Sequence, residues 1–134
     1  MDDDLESLRR KRAEELQKKR DQKLQGGVIT ITENQFSDAL RTNPRLVIDF
    51  WAEWCGPCRM VGPAIESLAQ EFAGEVAFGK CNTDENQRIA VNLNISAIPT
   101  IMLFSNGQLV DRVIGAYPKD VLRSRIARAF NLGT

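Results

Sequence analysis

The sequence predicts an α/β domain built on a mixed central sheet with helices on both faces, in the order β-α-β-α-β-α-β-β-α. Three observations carry that prediction. From residue 28 onward, short β-branched or apolar runs alternate with segments of helical periodicity, the pattern that strand–helix–strand crossovers impose. Near the end of the chain Asn106-Gly107 separates two apolar runs, a strong signal for a tight hairpin, so the sheet combines parallel and antiparallel strands. The first 25 residues hold seven acids, eight bases and no Gly, Pro or aromatic residue. They cannot feed that core, and the chain divides at Gly26-Gly27 into an extension, 1–25, and a domain, 26–134.

The extension is rich in Leu, Glu, Lys, Arg and Gln, all strong helix formers. Glu6 with Arg10, Glu14 with Lys18 and Glu15 with Lys19 put acid before base at i,i+4, the favourable orientation. Leu5, Leu8, Leu16 and Leu24 make only a thin apolar stripe without a sustained heptad. The expectation is a solvated, mobile helix followed by a glycine hinge.

The domain opens with Val28-Ile29-Thr30-Ile31, a β-branched strand. Thr32 and Gln35 have capping-box spacing, so a helix is expected to start there and to stop before Asn43-Pro44. Leu46 to Trp51 is the apolar run of a central strand covered on both faces, interrupted by one acid, Asp49. A helix follows from about Pro57, with Met60, Val61, Ile65, Leu68 and Phe72 on its inner side and Gly74 marking its end. Val76 to Asn82 reads as a strand and Glu85 to Leu93 as a helix. Thr100 to Phe104 and Leu109 to Ile114 are the hairpin strands. The last helix has Pro118 in its first turn and Gly133 past its end, with Val121, Leu122, Ile126, Ala129 and Phe130 as its buried face.

Composition narrows the chemistry. The chain has 134 residues, 43% hydrophobic and 27% charged, with 18 basic and 18 acidic residues. A balanced charge does not suit a generally basic nucleic-acid binder. There is no His, which removes Ser/His and Cys/His catalysis and imidazole metal ligands. Three Cys are too few for a disulfide-stapled secreted scaffold. No apolar run approaches the ~20 residues of a membrane span. The opening Asp2-Asp3-Asp4 lacks the basic-then-apolar order of a signal peptide, so the expected compartment is the cytoplasm.

Trp54-Cys55-Gly56-Pro57-Cys58 is the candidate site. Two cysteines stand three apart where a central strand hands over to a helix. At i and i+3 on a helix their Cβ atoms lie ~5–6 Å apart, and a small adjustment reaches disulfide geometry. Cys55 would sit at the helix N-terminus, where free N–H groups and the dipole favour a thiolate. It is expected to be reached from solvent, and Cys58, one turn on, only from Cys55. Pro57 suits a first-turn position, and Gly56 keeps the rim low for another protein's backbone. Two buried, inert cysteines are one competing reading, open for Cys58 more than for Cys55 at its strand-to-helix turn, and a zinc half-site is the other. It wants about four ligands, and only Cys81 remains in a chain without His.

The block Asp49-Phe50-Trp51-Ala52-Glu53-Trp54-Cys55-Gly56-Pro57-Cys58, then Pro63, Ile98-Pro99-Thr100, Asn106-Gly107 and Gly115, resembles the thioredoxin family in order over residues 28–132. The resemblance implies the thioredoxin fold and reversible dithiol–disulfide exchange without a prosthetic group. Cys55 matches the attacking thiol and Cys58 the resolving one. Asp49 matches a buried acid that moves protons to and from Cys58, with a satisfied structural acid as the alternative. Lys80 matches the lysine that modulates it, the alternative being an ordinary solvent-facing strand residue. Pro99 matches a cis proline facing the disulfide, although base rates alone favour trans. Ile98 would offer backbone groups to an extended target segment. Trp54, Gly56, Pro57, Ile98, Gly115 and Ala116 would form a flat apolar docking surface. Trp51 reads as packing. Arg59 stands where many relatives have Lys, and Cys81 reads as a small buried hydrophobe, with a regulatory or dimer-forming thiol as the minor alternative.

The implied partners are disulfide-bearing target proteins and a thioredoxin reductase as electron donor, with no membrane involvement and a monomeric chain. The Gly-Pro pair between the cysteines resembles the reducing members. The rival readings are a dedicated redox donor selected by the extension, and a non-enzymatic binding or tethering module. In the second, residues 9–20, with Arg9-Arg10-Lys11-Arg12, would touch nucleic acid.

Overall fold

Because Leu46 to Phe50 alternate between two covering layers, their strand has to lie at the centre of the sheet, and it does. The computed structural model describes residues 2–25 and 27–133. Its elements are α1 (Asp2–Gln25), β1 (Val28–Thr30), α2 (Phe36–Thr42), β2 (Arg45–Trp51), α3 (Gly56–Glu71), β3 (Ala77–Asn82), α4 (Gln87–Asn92), β4 (Thr100–Ser105), β5 (Gln108–Ile114) and α5 (Lys119–Ala129). The sheet order is β1-β3-β2-β4-β5. β3 is parallel to β1 and β2, while β2/β4 and β4/β5 are antiparallel. The predicted mixed α/β architecture is the observed one.

The period-2 alternation of β2 sorts its side chains. Val47 packs with Val61, Ile65 and Leu68 of α3 and Leu122 and Ile126 of α5. Leu46, Ile48 and Phe50 face the other layer, with Ile89 of α4 and the flank of α2 at Phe36, Ala39 and Leu40. Asp49, two residues beyond Val47, therefore points into the α3 side. Asn106 and Gly107 both have positive φ, 50° and 82°, the signature of the turn a two-residue hairpin needs, and Ser105 pairs with Gln108 across it.

Several local expectations shift. Thr32 to Gln35 forms a turn, and regular α2 begins only at Phe36. Half of the capping box is present, since the Thr32 N–H donates to Gln35 Oε1 at 3.2 Å. α4 is shorter than expected at both ends. Pro118 is the N-cap of α5 with an extended backbone, ψ 155°, rather than part of its first turn. Met60 is 75% exposed and Val121 38% exposed. Each lies one residue from a buried stripe, a rotation of ~100° around the helix, so both leave the inner faces assigned to them.

Along α1 the side chains from Asp4 to Gln17 are exposed, with Leu5, Leu8 and Leu16 among them. Gly26 of the expected hinge and the side chains of Leu24 and of Lys18 to Arg20 lie outside the described residues. Among the described residues no helix is long and apolar enough to cross a membrane.

Candidate active site

β2 ends at Trp51, the chain turns through Ala52 and Glu53, and α3 starts at Gly56. Cys55 is the N-cap, with φ −88° and ψ 107°, and Pro57 occupies the first turn. Its sulfur takes the place of the usual capping oxygen, accepting the Cys58 N–H at 3.2 Å. Cys55 and Cys58 are joined in a disulfide with Cα atoms 5.3 Å apart. In the dithiol state the same helix-terminal N–H would stabilise a thiolate at Cys55.

The cysteine spacing leads one to expect Cys55 open to solvent. Only 3% of its surface is exposed, against 4% for Cys58. Both pack with Ala52 against Trp51 and Ile98, so burial does not separate the two sulfurs. Position separates them: Cys55 caps the helix, and Cys58 lies within it. The Cys55 sulfur is 3.7 Å from the Ile98 carbonyl oxygen, and the Ile98-Pro99 peptide is cis. Gly115 N–H donates to the Pro99 carbonyl at 2.9 Å, which ties the end of β5 to the same loop. Around this centre Trp54, Gly56, Pro57 and Ala116 are exposed, Ile98 and Gly115 are half-buried, and Pro99 is buried. A Cβ added at Gly56 would meet nothing within 4 Å, so the rim is low there.

Behind the disulfide, Asp49 is 4% exposed. Its Oδ1 and the Trp51 Nε1 are both buried without a hydrogen-bond partner among the described residues. Both residues line a cavity of about 200 Å³ together with Cys58, Arg59, Glu66 and Lys80. Burial raises the Asp49 pKa to about 7, and the Lys80 ammonium pulls it partly back. The parallel register sets Asp49 opposite Lys80, and Lys80 Nζ sits 5.9 Å from the centre of the Trp51 ring. Lys80 is half-buried and lines the cavity, so it is not an ordinary solvent-facing residue. Trp51, read as packing, also presents an unpartnered donor there. Cys81 lies on the opposite layer among Ile31, Phe50 and Ile89. Burial, aided by the Glu33 carboxylate, raises its pKa to about 11, in keeping with a small buried hydrophobe. Among the described residues no three His, Cys, Asp or Glu side chains converge to hold a metal.

Two contacts escaped the sequence reading. Trp54 Nε1 donates to Asp84 Oδ2 at 2.8 Å, and Arg59 donates to the Glu53 carbonyl at 2.9 Å, closing the turn that carries Cys55. The separation of 30 positions between Trp54 and Asp84 leaves no local signal.

A family model described as Thioredoxin matches residues 27–128. The chain is 42% identical over 99 residues to "Thioredoxin 1" of Nostoc sp., covering 73% of this chain and 92% of that protein. It is 42% identical over 99 residues to "Thioredoxin M5, chloroplastic" of Oryza sativa subsp. japonica, covering 74% of this chain and 58% of that protein. Among solved structures it is similar to a mutant thioredoxin from Halobacterium salinarum NRC-1, with TM-score 0.75 and 31% identity, covering 82% of this chain and 96% of that one.

Proposed function

The chain belongs to the thioredoxin family and is a thiol–disulfide oxidoreductase that reduces protein disulfides, and from that premise we propose how its residues divide the work. Cys55, as thiolate, attacks one sulfur of a target disulfide. A mixed disulfide forms, and the target's other sulfur leaves as a thiolate that takes up a proton. Cys58 gives its proton to the Asp49 carboxylate and attacks the Cys55 sulfur. The Cys55–Cys58 disulfide closes, and the second target thiolate departs and is protonated. The target gains two electrons and two protons, and the dithiol becomes the disulfide. No prosthetic group enters this exchange.

The observation that carries the assignment is the cavity that Asp49 shares with Cys58. An acid titrating near pH 7 beside the second cysteine can take a proton from it and return it in the reverse step. Lys80 modulates that acid. Ile98 and Pro99 receive the target's extended backbone as an added strand, and Trp54, Gly56, Pro57, Gly115 and Ala116 form the docking face. Family membership implies disulfide-bearing targets and a reductase in general. We assign a monomer working in a reducing compartment, the cytoplasm, with residues 1–25 an appendage to the domain at 26–134.

Trapping tests the division of labour. Cys58→Ser should accumulate covalent complexes with targets, visible on non-reducing gels and cleared by dithiothreitol, while Cys55→Ser should trap none. Trapping by Cys55→Ser alone would reverse the two roles.

A further inference from the structure

Ile98 is carried by a loop with little structure of its own. Residues 93–99 join α4 to β4 without a helix or strand, and Ser96 and Ala97 are exposed. The far end of the loop is fixed. The Pro99 carbonyl accepts the Gly115 N–H at 2.9 Å, and Thr100 Oγ1 donates to the Ala97 carbonyl at 2.5 Å. The near end hangs from α4, which has six residues and buries only Ile89. A helix that short is not stable by itself. A Schellman closure ends it. Ile95 N–H donates to the Ala90 carbonyl at 2.9 Å and Asn94 N–H to the Val91 carbonyl at 3.1 Å, with Asn94 in the left-handed region at φ 55°.

That closure leaves the Leu93 and Asn94 carbonyls unused, and one side chain from the sheet takes both. Arg112 Nη2 donates to the Leu93 carbonyl at 2.8 Å and Nη1 to the Asn94 carbonyl at 3.3 Å. Arg112 pairs with Met102 across β4 and β5. Met102 belongs to the layer that α2 and α4 cover, so Arg112 faces the α4 side. The nearest carboxylate in sequence, Asp111, is turned to the other layer. It accepts the Arg112 backbone N–H at 2.8 Å, and Arg125 of α5 holds both of its oxygens at 2.6 Å. Among the described residues the Arg112 guanidinium makes no ion pair. Its charge meets the C-terminal end of α4, where a cation is favoured. A planar fork across two carbonyls fixes orientation as well as distance.

We propose that Arg112 is a positioning residue for the Ile98-Pro99 segment, tying the end of α4 to β5 so that the Ile98 backbone is held ready for the target's extended chain. The proposal rests on the redox function above and adds how one of its surfaces is kept in place. Arg112 is not placed on the target or on the sulfurs. Its effect passes through Leu93 and Asn94 to Ile98, four positions on, and lowers the ordering cost of binding. It falls on backbone-mediated binding and not on sulfur exchange.

The test uses the full chain driven by dithiothreitol, with insulin as the protein disulfide and a small aromatic disulfide that offers no backbone to pair. Arg112→Met keeps the length of the side chain and removes its donors. KM for insulin should rise about threefold to tenfold, the factor one net hydrogen bond carries, with kcat held. The rate on the small disulfide should change by less. Hydrogen exchange read by mass spectrometry should quicken in residues 94–98 and stay at the parent rate in β2 and α3. Arg112→Lys keeps a cationic donor and should recover part of both effects. Arg112→Thr, shorter and suited to a strand, should repeat the Arg112→Met result and serves if that variant does not fold. Arg88→Met removes a base from α4 itself and should leave KM and exchange near the parent values. The proposal is overturned if exchange in residues 94–98 or KM for insulin is unchanged in Arg112→Met and Arg112→Thr. It is equally overturned if Arg112→Lys recovers nothing, if Arg88→Met reproduces the defect, or if both substrates lose rate equally. A parent chain that reduces neither substrate would instead refute the redox function on which the proposal rests.

Discussion

Replacing Asp49 by Asn isolates the cost of a charge buried under the disulfide. Burial lifts this carboxyl from 3.8 to about 7 in the folded protein, whereas the unfolded chain titrates it near ~3.9. Between these values the folded state holds the proton more tightly than the unfolded state. Stability therefore falls as pH rises across that window. About three pKa units correspond to ~4 kcal/mol once both states are ionised, of which ~2.5 kcal/mol is lost between pH 5 and pH 8. The chain contains no His, so few other side chains titrate in that interval. Urea denaturation of the oxidised protein, in which neither redox thiol ionises, should show the parent's midpoint dropping by roughly 1–2 M from pH 5 to pH 8. Asp49→Asn, neutral throughout, should lose little across the same interval and be the more stable protein at pH 8. Single-turnover resolution of a mixed disulfide at neutral pH should slow by at least about tenfold, since Cys58 loses its base. Parallel pH profiles for parent and variant, or a parent that gains stability from pH 5 to pH 8, would refute the buried-acid reasoning.

Two further outcomes follow from other parts of the chain. Removing residues 1–25 should change unfolding free energy by less than about 1 kcal/mol, because the side chains from Asp4 to Gln17 are solvent-exposed and exposed positions carry little stability. Urea curves of the truncated chain check this, and a larger loss would mean that α1 docks on the domain. Cys81, 1% exposed with its thiol pKa raised to about 11, should resist alkylation at pH 8 until the domain opens. Mass spectrometry after iodoacetamide treatment in rising urea should show its labelling track global unfolding, and rapid labelling of the native protein would contradict its placement in the core.

What the sequence revealed depended on how local the cause was. Cys55, Pro57 and Cys58 stand within four positions, and a helix start is a local event, so spacing alone located the strand-to-helix turn they occupy. Asp49 was legible as a break in an apolar run. The exposure of Met60 and Val121 was not, since hydropathy reports an apolar residue without reporting which side of the helix meets the sheet. The regular start of α2 at Phe36, four residues beyond Thr32, was likewise hidden, because a capping-box spacing is satisfied equally by a turn that precedes a helix. The burial of Cys55 depends on Ile98, 43 positions away, and no property of the cysteine motif by itself predicts it.

Sheet topology explains why such distant residues meet at all. β2 ends at Trp51, and its parallel partner β3 ends beside it, with Trp51 in register with Asn82. The loop after β3, carrying Thr83 and Asp84, must therefore emerge next to Trp54. The antiparallel partner β4 runs the other way, pairing Phe50 with Thr100, so the residues just before it, Ile98 and Pro99, arrive at the same end. β5 pairs Ile114 with Thr100, which delivers Gly115 there as well. Four strand ends thus converge on one rim, and α3 begins at that rim with its N-terminus turned toward the cysteines. The same centrality that brings them together buries Asp49 on both sides, since β2 is hydrogen-bonded to β3 and β4 and its Asp49 face is covered by α3. A carboxyl in that position cannot keep an ordinary pKa without a closer partner than Lys80. The strand that assembles this rim is therefore also the strand that sets the proton affinity beneath it. A substitution loosening β2 against β3 should lower the Asp49 pKa and disturb Trp54 together.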